Sequence, residues 1–118
     1  STGGTFNKLA GRVGDTPIIG SGTWADECVA VSGTGLGEAF MRANAAYDVS
    51  ARMRYRGADV NQACLQVLDE VKRFEGDGGL IAVDAKGNIS MPYNSDGMKR
   101  AAVLDRMPPV VRVFEPEA

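Results

Sequence analysis

The chain has 118 residues, 15 of them Gly, only two Cys and no His, with a net charge of −2. At that length one domain is expected. Without His, a Ser-His-Asp or Cys-His triad, an imidazole metal site and an imidazole pH switch are excluded within the chain.

Cys28 and Cys64 are too few for a structural zinc site or a disulfide framework. The small net charge gives no general drive toward nucleic acid or an acidic membrane. No apolar run approaches a membrane span, and the opening Ser1-Thr2-Gly3-Gly4-Thr5-Phe6-Asn7-Lys8 lacks the apolar core of a signal peptide. That opening also lacks Met, so a processed or cut chain is expected. Chemistry must rest on hydroxyls, carboxylates, Arg or backbone amides, or on groups supplied by another chain.

Glycine is concentrated early: nine of the 15 lie within the first 37 residues. Such a stretch predicts turns and short strands whose backbone approaches something closely. Ile18, Ile19, Trp24, Val29 and Val31 make it too apolar for a solvated tether. Within it, Gly11-Arg12-Val13-Gly14-Asp15 presents opposite charges from one loop. Such a pair suits a zwitterion, with Arg12 taking a carboxylate and Asp15 an ammonium. Spacing alone favours the other reading, a local salt bridge on a surface turn.

Residues 27–32 read as a buried strand, β-branched and bounded by polar and Gly residues. Gly33-Thr34-Gly35-Leu36-Gly37-Glu38 follows, before a helix that the pattern carries to about Arg54. It superficially resembles a dinucleotide fingerprint, but Glu38 stands where the third Gly belongs and repels phosphate. Free amides at a helix start attract an anion or a developing oxyanion, with the Thr34 hydroxyl beside them. A plain tight turn is the other reading.

Phe40, Ala43, Tyr47 and Ala51 mark one face of that helix, and Gly57-Ala58 breaks it. Arg42, Arg52, Arg54 and Arg56 could form a basic patch, but without aromatic interleaving a solvated helix end or a subunit contact fits better. Asp59 reads as an N-cap with Gln62 completing a capping box. Val60, Ala63, Cys64, Val67, Leu68 and Val71 then form one apolar stripe. On that stripe Cys64 is a small core residue rather than a reactive thiol.

Leu80-Ile81-Ala82-Val83, a turn over 84–88 and Ile89-Ser90-Met91 read as a hairpin, ended by Pro92. Val110-Val111-Arg112-Val113-Phe114 is a last strand. Helices clustered between strands predict a layered α+β fold rather than an alternating parallel sheet. With four or five strands, one sheet face needs a partner layer from elsewhere.

Three stretches, in order, carry a specific resemblance. They are Ser1-Thr2-Gly3-Gly4 through Asn7-Lys8 to Gly11-Arg12-Val13-Gly14-Asp15-Thr16-Pro17, then Ser32-Gly33-Thr34-Gly35-Leu36-Gly37-Glu38, then Gly78-Gly79-Leu80-Ile81-Ala82-Val83-Asp84 onward to Pro92-Tyr93-Asn94-Ser95-Asp96-Gly97-Met98. The chain resembles the β-subunit of the plant-type asparaginases and isoaspartyl peptidases, which are N-terminal nucleophile (Ntn) hydrolases. Nearly the whole chain takes part.

The resemblance implies a four-layer αββα sandwich. Residues 1–118 would supply part of it as a single domain. An α-subunit and upstream β-subunit residues would complete it. It implies hydrolysis of L-asparagine and β-aspartyl dipeptides through an acyl-enzyme on an autoproteolytically freed Thr, whose α-amine is the base. By motif, Thr34 and Gly35 would form the oxyanion hole. Arg12 would hold the substrate α-carboxylate and Asp15 its α-ammonium. Gly35 and Gly37 would line the pocket, and Thr2 would assist the nucleophile.

Aligned by Gly11–Asp15, Ser1 and Thr2 fall inside the β-subunit, so the nucleophilic Thr is expected upstream. A strand–turn–strand of about 15–20 residues before Ser1 would supply it. Implied partners are the α-subunit from the same precursor and a second αβ unit, giving a heterotetramer, with no nucleic acid and no membrane. No cofactor is expected for catalysis, and any structural Na+ or K+ would sit on the α-subunit. The expected compartment is the cytoplasm, or the periplasm if the precursor carries a signal. A glycosylasparaginase-type amidase, and a non-catalytic fragment keeping an amino-acid pocket, are the alternative readings.

Overall fold

The computed structural model describes residue 1 and residues 4–115. In chain order these form β1 (Thr23–Ala25), β2 (Val29–Gly35), α1 (Gly37–Ala43), α2 (Ala45–Arg56), α3 (Val60–Arg73), β3 (Gly78–Asp84), β4 (Ile89–Ser90), β5 (Arg100–Ala102) and β6 (Val110–Arg112). β1 to β4 pair antiparallel in sequence order, and β5 pairs with β6 separately. The mixed α/β class follows the expectation from the sequence.

The backbone of the sheet is the β2–β3 ladder, which runs from Val29 opposite Asp84 to Gly35 opposite Gly78. Along β2, Val29, Val31 and Gly33 are buried while Ala30 is exposed and Ser32 and Thr34 are half-buried. This period-two alternation puts one face against the helices and leaves the other uncovered. Phe40, Val49, Val67, Val71, Leu80 and Cys64 fill the core between the sheet and the three helices. The uncovered face is apolar too: Ile81 and Val83 remain 46% and 44% exposed. They border an open groove of about 420 Å³ that also meets Ala30, Ala101 and Val103.

Phe40 is the largest fully buried side chain. Its ring lies directly over β2, where a Cβ on Gly33 would come within 2.9 Å of Cε1. A glycine is therefore required there by close approach. Asp26 ties the helix layer to the sheet edge. Its Oδ2 accepts from Trp24 Nε1 at 2.9 Å and from Ser50 Oγ on α2, and its Oδ1 accepts from the Cys28 amide at 2.8 Å and the Val29 amide at 3.1 Å. Burial opposes ionisation, but these donors outweigh it and hold the Asp26 carboxyl well below the usual carboxylate range.

Three expectations need correction. The strand read over 27–32 starts later and runs to Gly35, because Asp26 draws the Cys28 and Val29 amides into a turn. The helix expected to run to Arg54 is two helices, broken at Asn44, whose backbone is left-handed with φ 49°. The Ala46 and Tyr47 amides at the start of α2 donate to the carbonyls of Ser21 and Gly20, so the glycine-rich loop caps the new helix. The break also resets the helical face: Ala45, Ala46, Val49 and Ser50 are the buried positions of α2, not Tyr47 and Ala51. β1 and β5, three residues each, are too short to carry a periodic signal.

The third helix forms as expected. Val60, Ala63, Cys64, Val67, Leu68 and Val71 are its buried residues, and Cys64 is a fully buried core thiol whose pKa burial pushes up to about 11. The capping box is complete, with the Gln62 amide donating to Asp59 Oδ1 at 2.8 Å and the Asp59 amide to Gln62 Oε1 at 3.3 Å. Asp59→Ala is expected to cost about 1 kcal/mol of stability in urea unfolding, and Asp59→Asn much less, because Asn keeps the cap acceptor.

Candidate active site

The glycine-rich loop folds back so that residues 12–15 reach the site end of β2. A turn closes Leu9 to Arg12 through the Arg12 amide at 3.1 Å, and the Asp15 carbonyl accepts from the amides of Ile18 at 2.9 Å and Gly22 at 3.1 Å. Asp15 is thereby pulled inside and is only 5% exposed. Its surroundings leave no space for side chains. A Cβ on Gly37 would sit 3.1 Å from both the Asp15 amide nitrogen and Oδ1, and one on Gly22 would sit 2.7 Å from Oδ2.

The Arg12 guanidinium is paired with a different carboxylate. Nη2 lies 3.1 Å from Glu38 Oε1, and this ion pair joins the loop to the first turn of α1. The surface salt bridge between Arg12 and Asp15 that spacing suggested is therefore not the arrangement found. The helix start also already holds an anion, the Glu38 carboxylate. Its own backbone amide, and then Arg12, lower its pKa. From the sequence alone, Glu38 is only an objection to phosphate. Its pairing across 26 residues has no local signal.

One cavity of about 250 Å³ gathers Arg12, Asp15, Thr34 and Gly35, with Lys8 and Ser1 on its rim. Gly37 is not in its wall but lies behind, packed on Asp15 and within 3.3 Å of Arg12 Nη2 if it carried a Cβ. Thr34 and Gly35 are the last residues of β2, so they belong to a strand end rather than a helix start. Gly35 has φ +142° and faces Gly78 and Asp77 at a distance only hydrogen allows. The three glycines of 33–37 thus serve Phe40, the β3 backbone and Asp15, which leaves no phosphate cradle. Thr2 lies outside the described residues. Among those residues no group of three His, Cys, Asp or Glu side chains is placed to hold a metal, and no helix is long and apolar enough to cross a membrane.

The two charged groups differ in readiness. Asp15 Oδ2 is buried and has no hydrogen-bond donor among the described residues. Burial is the largest influence on this carboxyl and raises its pKa, against the lowering effect of nearby amides and Arg12. An unsatisfied buried carboxylate oxygen is an acceptor in want of a donor. Together, a guanidinium, such a carboxylate and strand-end backbone around one cavity can hold a zwitterion and leave its uncharged arm beside Thr34.

The family model for the asparaginases matches residues 1–111. The chain belongs to the asparaginase family. It is 52% identical over 103 residues to an isoaspartyl peptidase of Salmonella typhimurium, covering 86% of this chain and 33% of that protein. It is likewise 52% identical over 103 residues to an isoaspartyl peptidase of Escherichia coli, covering 86% of this chain and 32% of the relative. A plant-type L-asparaginase of Thermococcus kodakarensis is 41% identical over 120 residues, covering 100% of this chain and 37% of its own length. The chain therefore spans about a third of the length of these curated asparaginase-family relatives.

The raised pKa of Asp15 has an expected consequence for stability. Asp15's own contribution to stability should grow as pH falls, because its folded pKa is raised, whereas the contribution of Asp26, whose folded pKa is lowered, is lost below a pH of about 4. Asp15→Asn should raise thermal stability by about 1 kcal/mol, because a neutral side chain is cheaper to bury, and melting curves of the variant check this.

Proposed function

We propose that this chain is part of an amidohydrolase that cleaves the side-chain amide of L-asparagine and the isopeptide bond of β-aspartyl dipeptides. The observation that carries the reading is the convergence of Arg12, Asp15, Thr34 and Gly35 on one cavity. The names of the relatives, isoaspartyl peptidases and plant-type L-asparaginases, support it.

In this reading Arg12 takes the substrate α-carboxylate and Asp15 its α-ammonium, each through charge-assisted hydrogen bonds. The side-chain carbonyl then lies at the end of β2. A Thr hydroxyl from the part of the protein that these 118 residues do not span attacks it, with the α-amine of that Thr as base. Thr34, through its hydroxyl, and Gly35, through its amide, stabilise the oxyanion. Collapse of the intermediate breaks the C–N bond. The leaving nitrogen takes the proton and departs as ammonia or as the second amino acid. Water hydrolyses the ester and frees aspartate. Thr2 is assigned to assist the nucleophile, and Gly37 to support the Arg12–Asp15 clamp from behind.

The same reading makes residues 1–118 one domain, most of a β-subunit in a four-layer αββα sandwich. An α-subunit from the same precursor completes it, and two αβ units associate. The apolar uncovered face with Ile81 and Val83 supports a further packed layer. No catalytic cofactor enters this scheme. A cytoplasmic location suits the two free cysteines, Cys28 and Cys64.

The complete protein should release ammonia from L-asparagine and aspartate from a β-aspartyl dipeptide. Arg12→Ala should lose about 3 kcal/mol of transition-state binding, roughly two orders of magnitude in kcat/KM for both substrates, because a bidentate charged pair is removed. Wild-type kcat/KM in that variant would show the clamp assignment to be wrong.

A further inference from the structure

The charges around the cavity do not balance for an amino acid alone. Among its lining side chains Arg12 and Lys8 are cationic and only Asp15 is anionic. Glu38, which neutralises one arm of Arg12, is not in the cavity wall and approaches Arg12 through Nη2. Among the described residues no carboxylate is paired with Lys8. L-Asparagine brings one carboxylate and one ammonium, which Arg12 and Asp15 consume. Lys8 is then left as an unused cation on the rim. A β-aspartyl dipeptide brings one more carboxylate, at the C-terminus of its leaving residue. Two cations and one anion in the wall meet two anions and one cation in that ligand.

The placement suits that match. Lys8 stands in the loop on the Ser1–Thr5 side of the cavity, four residues before Arg12, and Asn7 beside it has the left-handed backbone of a turn, φ 52°. Phe6 and Leu9, on either side of it, are exposed and add nothing to the described core. Lys8 is itself exposed. Its long stem can follow a leaving residue of varied size while its ammonium stays in reach of a carboxylate common to all of them.

Resting on the reading of this site as an isoaspartyl peptidase and asparaginase, we propose that Lys8 is its specificity-determining residue for the leaving group, pairing with the free C-terminal carboxylate of β-aspartyl dipeptides. Lys8 thereby favours the dipeptide over asparagine and over dipeptides whose carboxylate is blocked.

The test uses the complete protein and three substrates: a β-aspartyl dipeptide, the same dipeptide as its C-terminal amide, and L-asparagine. In the wild type, kcat/KM for the free acid should exceed that for the amide about five-fold, the upper range for an exposed ion pair. Lys8→Met should bring that ratio to about one through KM, with kcat kept, and added salt should do the same to the wild type. Lys8→Arg should restore the preference. A ratio near one in the wild type, or a ratio that Lys8→Met leaves unchanged, overturns the proposal while hydrolysis itself continues. Failure of the wild type to cleave any of the three substrates overturns the underlying reading instead.

Discussion

The close approach of β2 to β3 at the glycine end of their ladder governs the rest of the molecule. Gly35 opposite Gly78, and Gly33 beneath Phe40, bring two backbones and an aromatic ring closer than any Cβ would allow. Phe40 can then seat α1 on the sheet. With α1 seated, Gly37 becomes the floor under Asp15, and Glu38 becomes the anchor of Arg12. A side chain at Gly33 or Gly35 would displace the helix start, and with it both charged groups of the cavity. The packing of the core and the geometry of the site are one constraint expressed at two places.

Two carboxylates show how the fold separates structure from chemistry. Asp26 and Asp15 are both drawn out of water, and burial opposes ionisation in each. Asp26 is met by donors from β1, the following turn and α2, which turns it into a charged rivet with nothing left to bind. Asp15 keeps an oxygen without a donor in surroundings that glycine makes tight. An uncompensated buried acceptor weakens the fold, and such groups persist where a ligand supplies the missing donor. Asp15 is the more deeply buried of the two and yet receives fewer donors.

Sequence periodicity made α3 legible down to its cap, because a fourteen-residue amphipathic helix carries its own record of the face it buries. The α1–α2 break was not legible. It depends on Asn44 accepting a left-handed backbone while Gly20 and Ser21, more than twenty residues earlier, satisfy the new helix start. β1 and β5 are three residues each and owe their form to the neighbour they pair with. Of the site, the residue types of Gly11–Asp15 announced opposite charges in one loop. Which charge was buried, and that Arg12 would pair with Glu38, came from chain return over long range. The glycines of 33–37 carry no local sign of their packing against Phe40, β3 and Asp15, which chain return alone supplies, and Gly35 stays in the cavity wall as well.

The period of two along β2 finally connects the site to the uncovered face. Ala30, Ser32 and Thr34 alternate with the buried Val29, Val31 and Gly33, so Thr34 projects from the same face as the apolar groove. A smaller cavity of about 140 Å³ continues along that face from Thr34 and Ser32 to Ile81 and Met98. A group that comes to lie on Thr34 from this side crosses the same apolar surface that Ile81 and Val83 expose. Covering that surface and approaching the strand end are therefore not independent events. The helices fix where Thr34 sits, and whatever occupies the opposite face decides what it meets.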